Sequence, residues 1–399
     1  MNLDQVRDET PGVEHRIHLN NAGAGLMPRP VIDAIKNHVD LESQIGGYEA
    51  AAERTAEIEQ TYDSVAKLIN TASENIAICE NATAAYALVL SSLNFREGDL
   101  ILTTDDDYVS NQLMFLSLSQ RTKVEIVRAP CLSTGGADVG AMIEIMDQRR
   151  PTLVAVTHIP TNSGLIQPVA EIGRACRERE IWYLVDGCQS IGQVPVDVQS
   201  IGCDFYTASF RKFLRGPRGI GFMYASDRVL HSNLAPLFPD LRSADWTDAN
   251  LFQIQKTAKR FENWEFPYAL VLGAGASVAY ASELGVENCS RRALNLAAIL
   301  RQSLLKFDQR VRVLDEGKSL GAIVTLGLPG HAADTVKAAL ESERINTSIS
   351  LRGFAVIDFD KKDVDWALRV SPHYYNTESE IETFINVVQE IVSPISQRH

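Results

Sequence analysis

From residue 75 to residue 225 the chain alternates short, mostly apolar runs with stretches of helical periodicity, and this alternation constrains the fold more than any other feature. The apolar runs are Asn75 to Cys79, Gly98 to Thr104, Lys123 to Ala129, Thr152 to Thr157, Trp182 to Val185 and Asp204 to Ala208. Between them lie helical stretches such as Ala84 to Leu93, Met142 to Arg149 and Val169 to Arg179. Runs that are apolar on consecutive residues belong to strands covered on both faces, and strand-helix alternation builds a parallel or mostly parallel sheet. Ligands of open α/β sheets bind just outside the strand ends, so the polar residues that close each run are the first functional candidates.

Two of these ends carry complementary chemistry. Asp186 closes the run beginning at Trp182, and Ser209-Phe210-Arg211-Lys212 closes the run beginning at Asp204, ahead of a Gly216-Pro217-Arg218-Gly219 turn and a further strand, Ile220 to Tyr224. An aspartate facing a pyridine nitrogen keeps that ring protonated, and a lysine amine condenses with an aldehyde; pyridoxal phosphate enzymes need both. A dinucleotide site is the natural competitor for this fold class. It requires a Gly-x-Gly-x-x-Gly turn between an early strand and its helix, and here Gly216-x-x-Gly219-x-Gly221 precedes a strand instead.

The elements Asp186-x-x-Gln189, Ser209-x-x-Lys212 and Gly216-Pro217-x-Gly219-x-Gly221 together resemble the class V aminotransferase group of fold type I pyridoxal phosphate enzymes. That group includes cysteine desulfurases, selenocysteine lyases, isopenicillin N epimerases and the sulfoxide lyase of ergothioneine biosynthesis. The resemblance implies a mostly parallel seven-stranded sheet covered by helices, a smaller α+β C-terminal domain, and pyridoxal 5'-phosphate as cofactor. Lys212 and Asp186 are then the catalytic pair, with Gln189, Ser209 and Arg211 at the cofactor. Many relatives have histidine where Arg211 stands, and a guanidinium there suits a phosphate. Ala82 and Thr83, between a strand and the N-terminus of the next helix, fall where the family places its phosphate, although Thr83 also makes an ordinary helix cap. Tyr108 is the aromatic available to stack on the ring, while alignment through Asn111 puts Val109 near that position. Either Thr161 or Asn162 faces the ring. Asn21, Ala22 and Gly23, in the small-residue loop Leu19 to Gly25, and Arg369, in Arg369-Val370-Ser371-Pro372-His373, match the family's substrate side, with the arginine pairing an amino-acid carboxylate.

Composition narrows the partners. A net charge of -13 argues against nucleic acid or an anionic membrane, both of which need a basic face. No apolar run approaches the roughly 20 residues of a membrane span and the N-terminus shows no signal-peptide core, so a cytoplasmic protein is expected. The six cysteines are scattered without a Cys-x-x-Cys pair and the eight histidines are dispersed, which predicts neither a disulfide frame nor a metal site.

The chain divides by pattern into an N-terminal arm (1–18), a large cofactor-binding domain (19–257) and a small C-terminal domain (258–399). Residues 228–257 read as irregular, and the run Asp105-Asp106-Asp107 reads equally as a solvated surface. Arg260 to Glu265 matches a family segment that reaches toward the partner's cofactor in a dimer, so a homodimer with shared active sites is expected. Cysteine desulfurases carry a nucleophilic cysteine on a mobile loop shortly before the arginine strand. Ser350 to Asp360 contains none, which argues against a persulfide-forming desulfurase. The resemblance, with Gly46-Gly47-Tyr48 and Arg211-Lys212, favours a carbon-sulfur β-lyase acting on a cysteine sulfoxide or conjugate to give pyruvate and ammonia. An aminotransferase or epimerase is the alternative, and a binding protein without turnover the third reading.

Overall fold

The computed structural model describes residues 1–393. Its centre is a seven-stranded sheet of β1 Ile76–Cys79, β2 Leu100–Thr103, β3 Glu125–Arg128, β4 Leu153–Thr157, β5 Trp182–Asp186, β6 Phe205–Ser209 and β7 Gly221–Ala225. The spatial order is β1-β7-β6-β5-β4-β2-β3. Strand β7 runs antiparallel to both neighbours, and every other pair is parallel, as the alternation predicts.

Successive side chains of a strand point to opposite faces, and here both faces are buried. Ile76, Ile78, Val154, Val156, Tyr183, Val185, Tyr206 and Ala208 enter one core. Ala77, Ile101, Leu153, Ala155, Leu184, Phe205 and Met223 enter the other. The flanking helices that matter for the site are α1 Arg29–Ile45, α2 Thr55–Leu68, α3 Ala82–Ser92, α4 Val109–Thr122, α5 Val169–Glu178, α6 Tyr268–Leu284 and α7 Val286–Leu304. Helices α2, α5 and α6 cover the first face, and α3 covers the second together with Phe115 of α4.

A second core is built by α7, a long C-terminal helix Glu378–Val392 and a four-stranded antiparallel sheet, β8 Arg312–Val313, β9 Val324–Gly327, β10 Ser348–Leu351 and β11 Trp366–Val370, in the order β8-β9-β11-β10. Between β10 and β11 stands a short helix, α8 Val356–Lys362. Helix α6 is apolar on all sides, so it can only be buried, and Val271, Ala274 and Val278 place it in the core of the large sheet.

Three stretches differ from the sequence reading. Tyr268–Leu284, assigned by pattern to the small domain beginning at residue 258, packs instead in the core of the large sheet, because a helix apolar on all sides needs cover all round. Residues 1–18 are docked on the body: Leu3–Asp8 is a helix, Arg7 pairs with Glu380 at 2.9 Å, and Ile17–His18 forms a parallel pair with Ile345–Asn346. Val6 supplies the reason, since it buries against Tyr374 and Tyr375. Residues 228–257 contain an antiparallel hairpin, Ala244–Asp248 with Leu251–Ile254. Its strands are exposed along most of their length, so no buried face imposed the apolar alternation that would have marked them.

Candidate active site

The ends of β4, β5 and β6 lie side by side, with Thr157 in register with Asp186 and Asp186 with Thr207. Asp186 is buried there, and its position needs Gly187 behind it, because a Cβ on Gly187 would stand 1.9 Å from Tyr206 Cζ. Two neutral donors fix its carboxylate: the Cys188 N–H reaches Oδ1 at 2.9 Å and the Asn111 amide reaches Oδ2 at 3.0 Å.

Lys212 follows the end of β6 and its side chain is buried. Burial is the main cause that holds its ammonium below the ordinary lysine range, and the positive Arg211 adds to the effect, so the neutral amine becomes more accessible. The segment carrying it is backed by the small-residue loop. Gly25 donates its N–H to Arg211 O at 2.8 Å, and a Cβ at Gly25 would lie 2.6 Å from Lys212 O, so the missing side chain is what lets the two backbones meet.

Lys212, Asp186 and Cys188 line one cavity of about 240 Å³ together with Tyr108, Arg211 and Thr83. Tyr108 is its aromatic wall, with the ring centroid 5.9 Å from Lys212 Nζ, whereas Val109 begins α4. At the opposite end the cavity meets the N-terminus of α3. Asn81 caps that helix through the Ala84 N–H at 2.9 Å, and Ser209 Oγ accepts the Ala82 N–H at 3.1 Å. Ala82 is therefore bound to Ser209, and Thr83, the helix dipole and Arg211 face the space that an anion would fill. Arg211 also donates to Gly23 O, tying the cavity to the loop.

On the other side of this site, Arg369 rises from β11 almost wholly buried. Its Nη1 donates to Thr161 Oγ1 at 2.6 Å and to Thr161 O at 3.3 Å, and its Nη2 donates to Asn20 Oδ1 at 3.2 Å. Among the described residues no carboxylate accompanies it, and its Nε is buried without a partner. Burial, reinforced by Arg211, lowers its pKa to about 10, which still leaves it charged at neutral pH. Gln189 joins the same group, donating to Thr161 Oγ1 and to Ala22 O at 3.0 Å each, while its Oε1 is buried without a partner.

Three sequence assignments change. The Asn21 side chain is fully buried and spent on Ser371 O at 2.8 Å and on the Tyr375 hydroxyl, so it splices the loop to the C-terminal strand, and Asn20 is the residue that reaches Arg369. Ala22 likewise uses its N–H on Ser371 Oγ at 2.9 Å and its carbonyl on Gln189. Asn162 points away from the cavity and donates to Asp106 and Asp358, leaving Thr161 as the member of that pair at the site. Nor are Asp106 and Asp107 solvated; both are buried, and Asp107 is satisfied by Gln112 at 2.8 Å and Asn111 at 3.1 Å. Asn111 and Cys188 escaped notice as site residues. The i, i+4 spacing of Asp107, just before the N-cap of α4, and Asn111, on its first turn, was the available signal for the former, and nothing in the sequence singled out the latter. His158 is buried with its pKa down to about 4 by desolvation, and its backbone N–H donates to Asp186 O at 2.9 Å.

The atoms of the site fit pyridoxal phosphate. A carboxylate, a buried amine and an aromatic wall surround one cavity, a helix N-terminus and a guanidinium close one end, and Gln189 Oε1 and Arg369 Nε are buried polar atoms still lacking partners. Fold and site together define a pyridoxal-phosphate-dependent enzyme acting on an amino acid. The chain belongs to the aminotransferase class-V family, whose sequence model matches residues 17–384. It is 27% identical over 399 residues to a "Probable cysteine desulfurase" of Methanothermobacter thermautotrophicus, covering 98% of each chain. Among solved structures it resembles the apo cysteine desulfurase of Thermococcus onnurineus NA1, with a TM-score of 0.89 at 24% identity and 98% coverage of each chain. It also resembles a cystine C-S lyase in complex with its product cysteine persulfide, with a TM-score of 0.84 at 23% identity, covering 95% of this chain and 98% of that one.

Proposed function

We propose that this enzyme cleaves the Cβ–S bond of a cysteine derivative, a disulfide, sulfoxide or conjugate, and releases pyruvate and ammonia. The observation that carries the reading is the segment before β11. Ser350 to Asp360 contains no thiol, and it folds as the end of β10, a 3-10 turn and most of α8, so no nucleophilic sulfur is presented there. A substrate whose sulfur leaves as a stabilised anion needs no such nucleophile.

Bound pyridoxal phosphate supplies an electron-accepting ring that weakens the bonds at the substrate α-carbon. Arg369 pairs the substrate carboxylate, with Thr161 and Asn20 holding the guanidinium plane. Asp186 would hold the ring nitrogen protonated, and Tyr108 and Cys188 form walls of the slot. Lys212 Nζ, its basicity tempered by burial, takes the α-proton, and the sulfur departs from Cβ with the electron pair of its bond. The aminoacrylate released takes up water to give pyruvate and ammonia.

The names of the relatives favour a second reading, desulfuration of cysteine itself, for which Cys188 is the thiol lining the cavity. One experiment separates the two. Holoenzyme is incubated with L-cysteine and with L-cystine or cysteine sulfoxides, and pyruvate, alanine and sulfane sulfur are measured. Pyruvate from the substituted substrates supports the lyase; alanine with protein-bound persulfide from L-cysteine, and no pyruvate, refutes it. We also propose that the enzyme pairs as a two-fold dimer through the apolar surface around the Ala244–Ile254 hairpin, where Phe238 is 82% and Trp246 79% exposed. Within Arg260 to Glu265, Arg260 and Glu262 are buried in their own subunit, and Trp264 is exposed toward such a partner.

A further inference from the structure

Asn162 is held by two carboxylates that come from different halves of the molecule. Its amide donates to Asp106 Oδ1 at 2.8 Å, on the loop after β2, and to Asp358 Oδ2 at 2.9 Å, on α8 of the second core. Ser163 Oγ donates to the remaining oxygen of Asp106 at 2.7 Å, and Lys362 Nζ pairs with Asp358 Oδ1 at 2.7 Å. Asn162, Asp106, Asp358 and Lys362 are all buried. The adjacent residue, Thr161, is the one that receives Arg369 through both its hydroxyl and its carbonyl. The turn Thr161–Ser163 therefore has one end in the substrate site and the other in a clamp between the two cores.

We propose that Asp106, Asn162 and Asp358 are positioning residues, a latch that docks α8 on this turn and thereby sets the orientation of Arg369 for the amino-acid carboxylate, and that the latch loosens when Asp106 loses its proton. This deepens the reading of Arg369 as the carboxylate anchor and rests on it.

The charge balance supports the second half. Asp106 and Asp358 share one buried ammonium, Lys362, which Glu316 also attracts, and Lys361 attracts Asp358 from the rim. The neighbouring Lys361 is engaged by Asp105, with Cys131 3.9 Å from its Nζ. No second cation reaches Asp106 from α8 or from the 161–163 turn among the described residues. Burial first, and the charge on Asp358 second, raise Asp106 to about 7, with Lys362, Ser163 and Asn162 opposing. A carboxyl raised in the folded state favours the protonated clamp. Its contribution is full at acid pH and fades as pH rises through that value, when two adjacent carboxylates become charged.

The test is the binding of glycine to the holoenzyme, read from the cofactor's visible absorption, because glycine has no Cβ–S bond. Between about pH 6 and about pH 8 the dissociation constant of the native enzyme is expected to rise about fivefold more than that of Asp106→Asn, which is locked in the neutral form, the part of a one-unit pKa difference that falls within this window. Titrations of Lys212 and of glycine's amine are common to both proteins and cancel in the ratio. Asp358→Asn removes the repelling charge and is expected to move the inflection to lower pH; Lys362→Met removes the attracting charge and is expected to move it to higher pH. These two give an answer even where Asp106→Asn fails to fold. Identical pH curves for native enzyme and Asp106→Asn, or a shift in the same direction for both other variants, overturn the latch. Failure of the lyase reading leaves this measurement unaffected, whereas failure of Arg369 as the anchor shows as glycine affinity unchanged in Arg369→Met.

Discussion

Arg369 shows how a single residue is set between stability and function. Its guanidinium is buried with three hydrogen bonds to neutral oxygens and, among the described residues, no counter-charge. An unpaired buried cation costs several kcal/mol in principle, so an anionic ligand is required to offset it. Arg369→Met is expected to raise the melting temperature of the ligand-free protein by a few degrees, corresponding to roughly 1 kcal/mol or more, while weakening amino-acid binding about a hundredfold or more. Calorimetry and spectral titration check the two halves, and a fall in both stability and affinity shows that the arginine is structural instead. Lysine at this position is expected to restore little, since it lacks the planar fork that meets a carboxylate with two bonds. At this scale Asp186 and Lys212 were singled out by their places at strand ends, and Ser209 and Arg369 by the motifs resembling the family. Asn21 against Asn20, and Asn162 against Thr161, were not, because neighbouring residues in a turn point to opposite sides and the sequence carries no sign of which.

At the scale of elements, strands β4 to β6 were readable because burial on both faces leaves only apolar residues to choose from. The exposed hairpin at Ala244–Ile254 lacks that constraint and was read as irregular. The packing between β5 and β6 makes a sharp test. A Cβ on Gly187 would be 1.9 Å from Tyr206 Cζ, and the Tyr206 hydroxyl is itself held at 2.8 Å by Ser190 Oγ, so the ring has little freedom to retreat. Gly187→Ala is expected to lower stability by about 1–3 kcal/mol through overpacking and to shift Asp186 from its place in the cavity wall. Urea denaturation and the cofactor's absorption spectrum measure the two effects; a variant with native stability and native spectrum contradicts the account.

For the whole molecule, the exposed apolar surface is the feature without an explanation in one copy. Phe238, Trp246 and Phe252 are 82%, 79% and 60% exposed. The proposed pairing predicts that Phe238→Glu with Trp246→Glu converts a dimer to monomer in analytical ultracentrifugation and lowers turnover, whereas the native and variant chains sedimenting alike rules this face out. The same scale explains how the lysine segment is held. Arg215, buried three residues beyond Lys212, donates to Thr10 Oγ1 at 2.6 Å, Leu26 O at 2.7 Å and the Tyr374 hydroxyl at 2.8 Å, so the N-terminal and C-terminal parts of the chain grip the segment that presents the Lys212 amine. By itself the sequence determined the sheet and the positions of Asp186 and Lys212 at its strand ends, because local hydrophobic pattern dictates those without reference to distant parts, while the cofactor was implied by the chemistry of that pair and by the motifs resembling the family. The docking of the N-terminal segment, the pairing of Arg369 with Thr161 and Asn20, and the carboxylate clamp on Asn162 were decided only by tertiary structure, since each depends on burying together groups that lie up to hundreds of positions apart and carry no mutual signal along the chain.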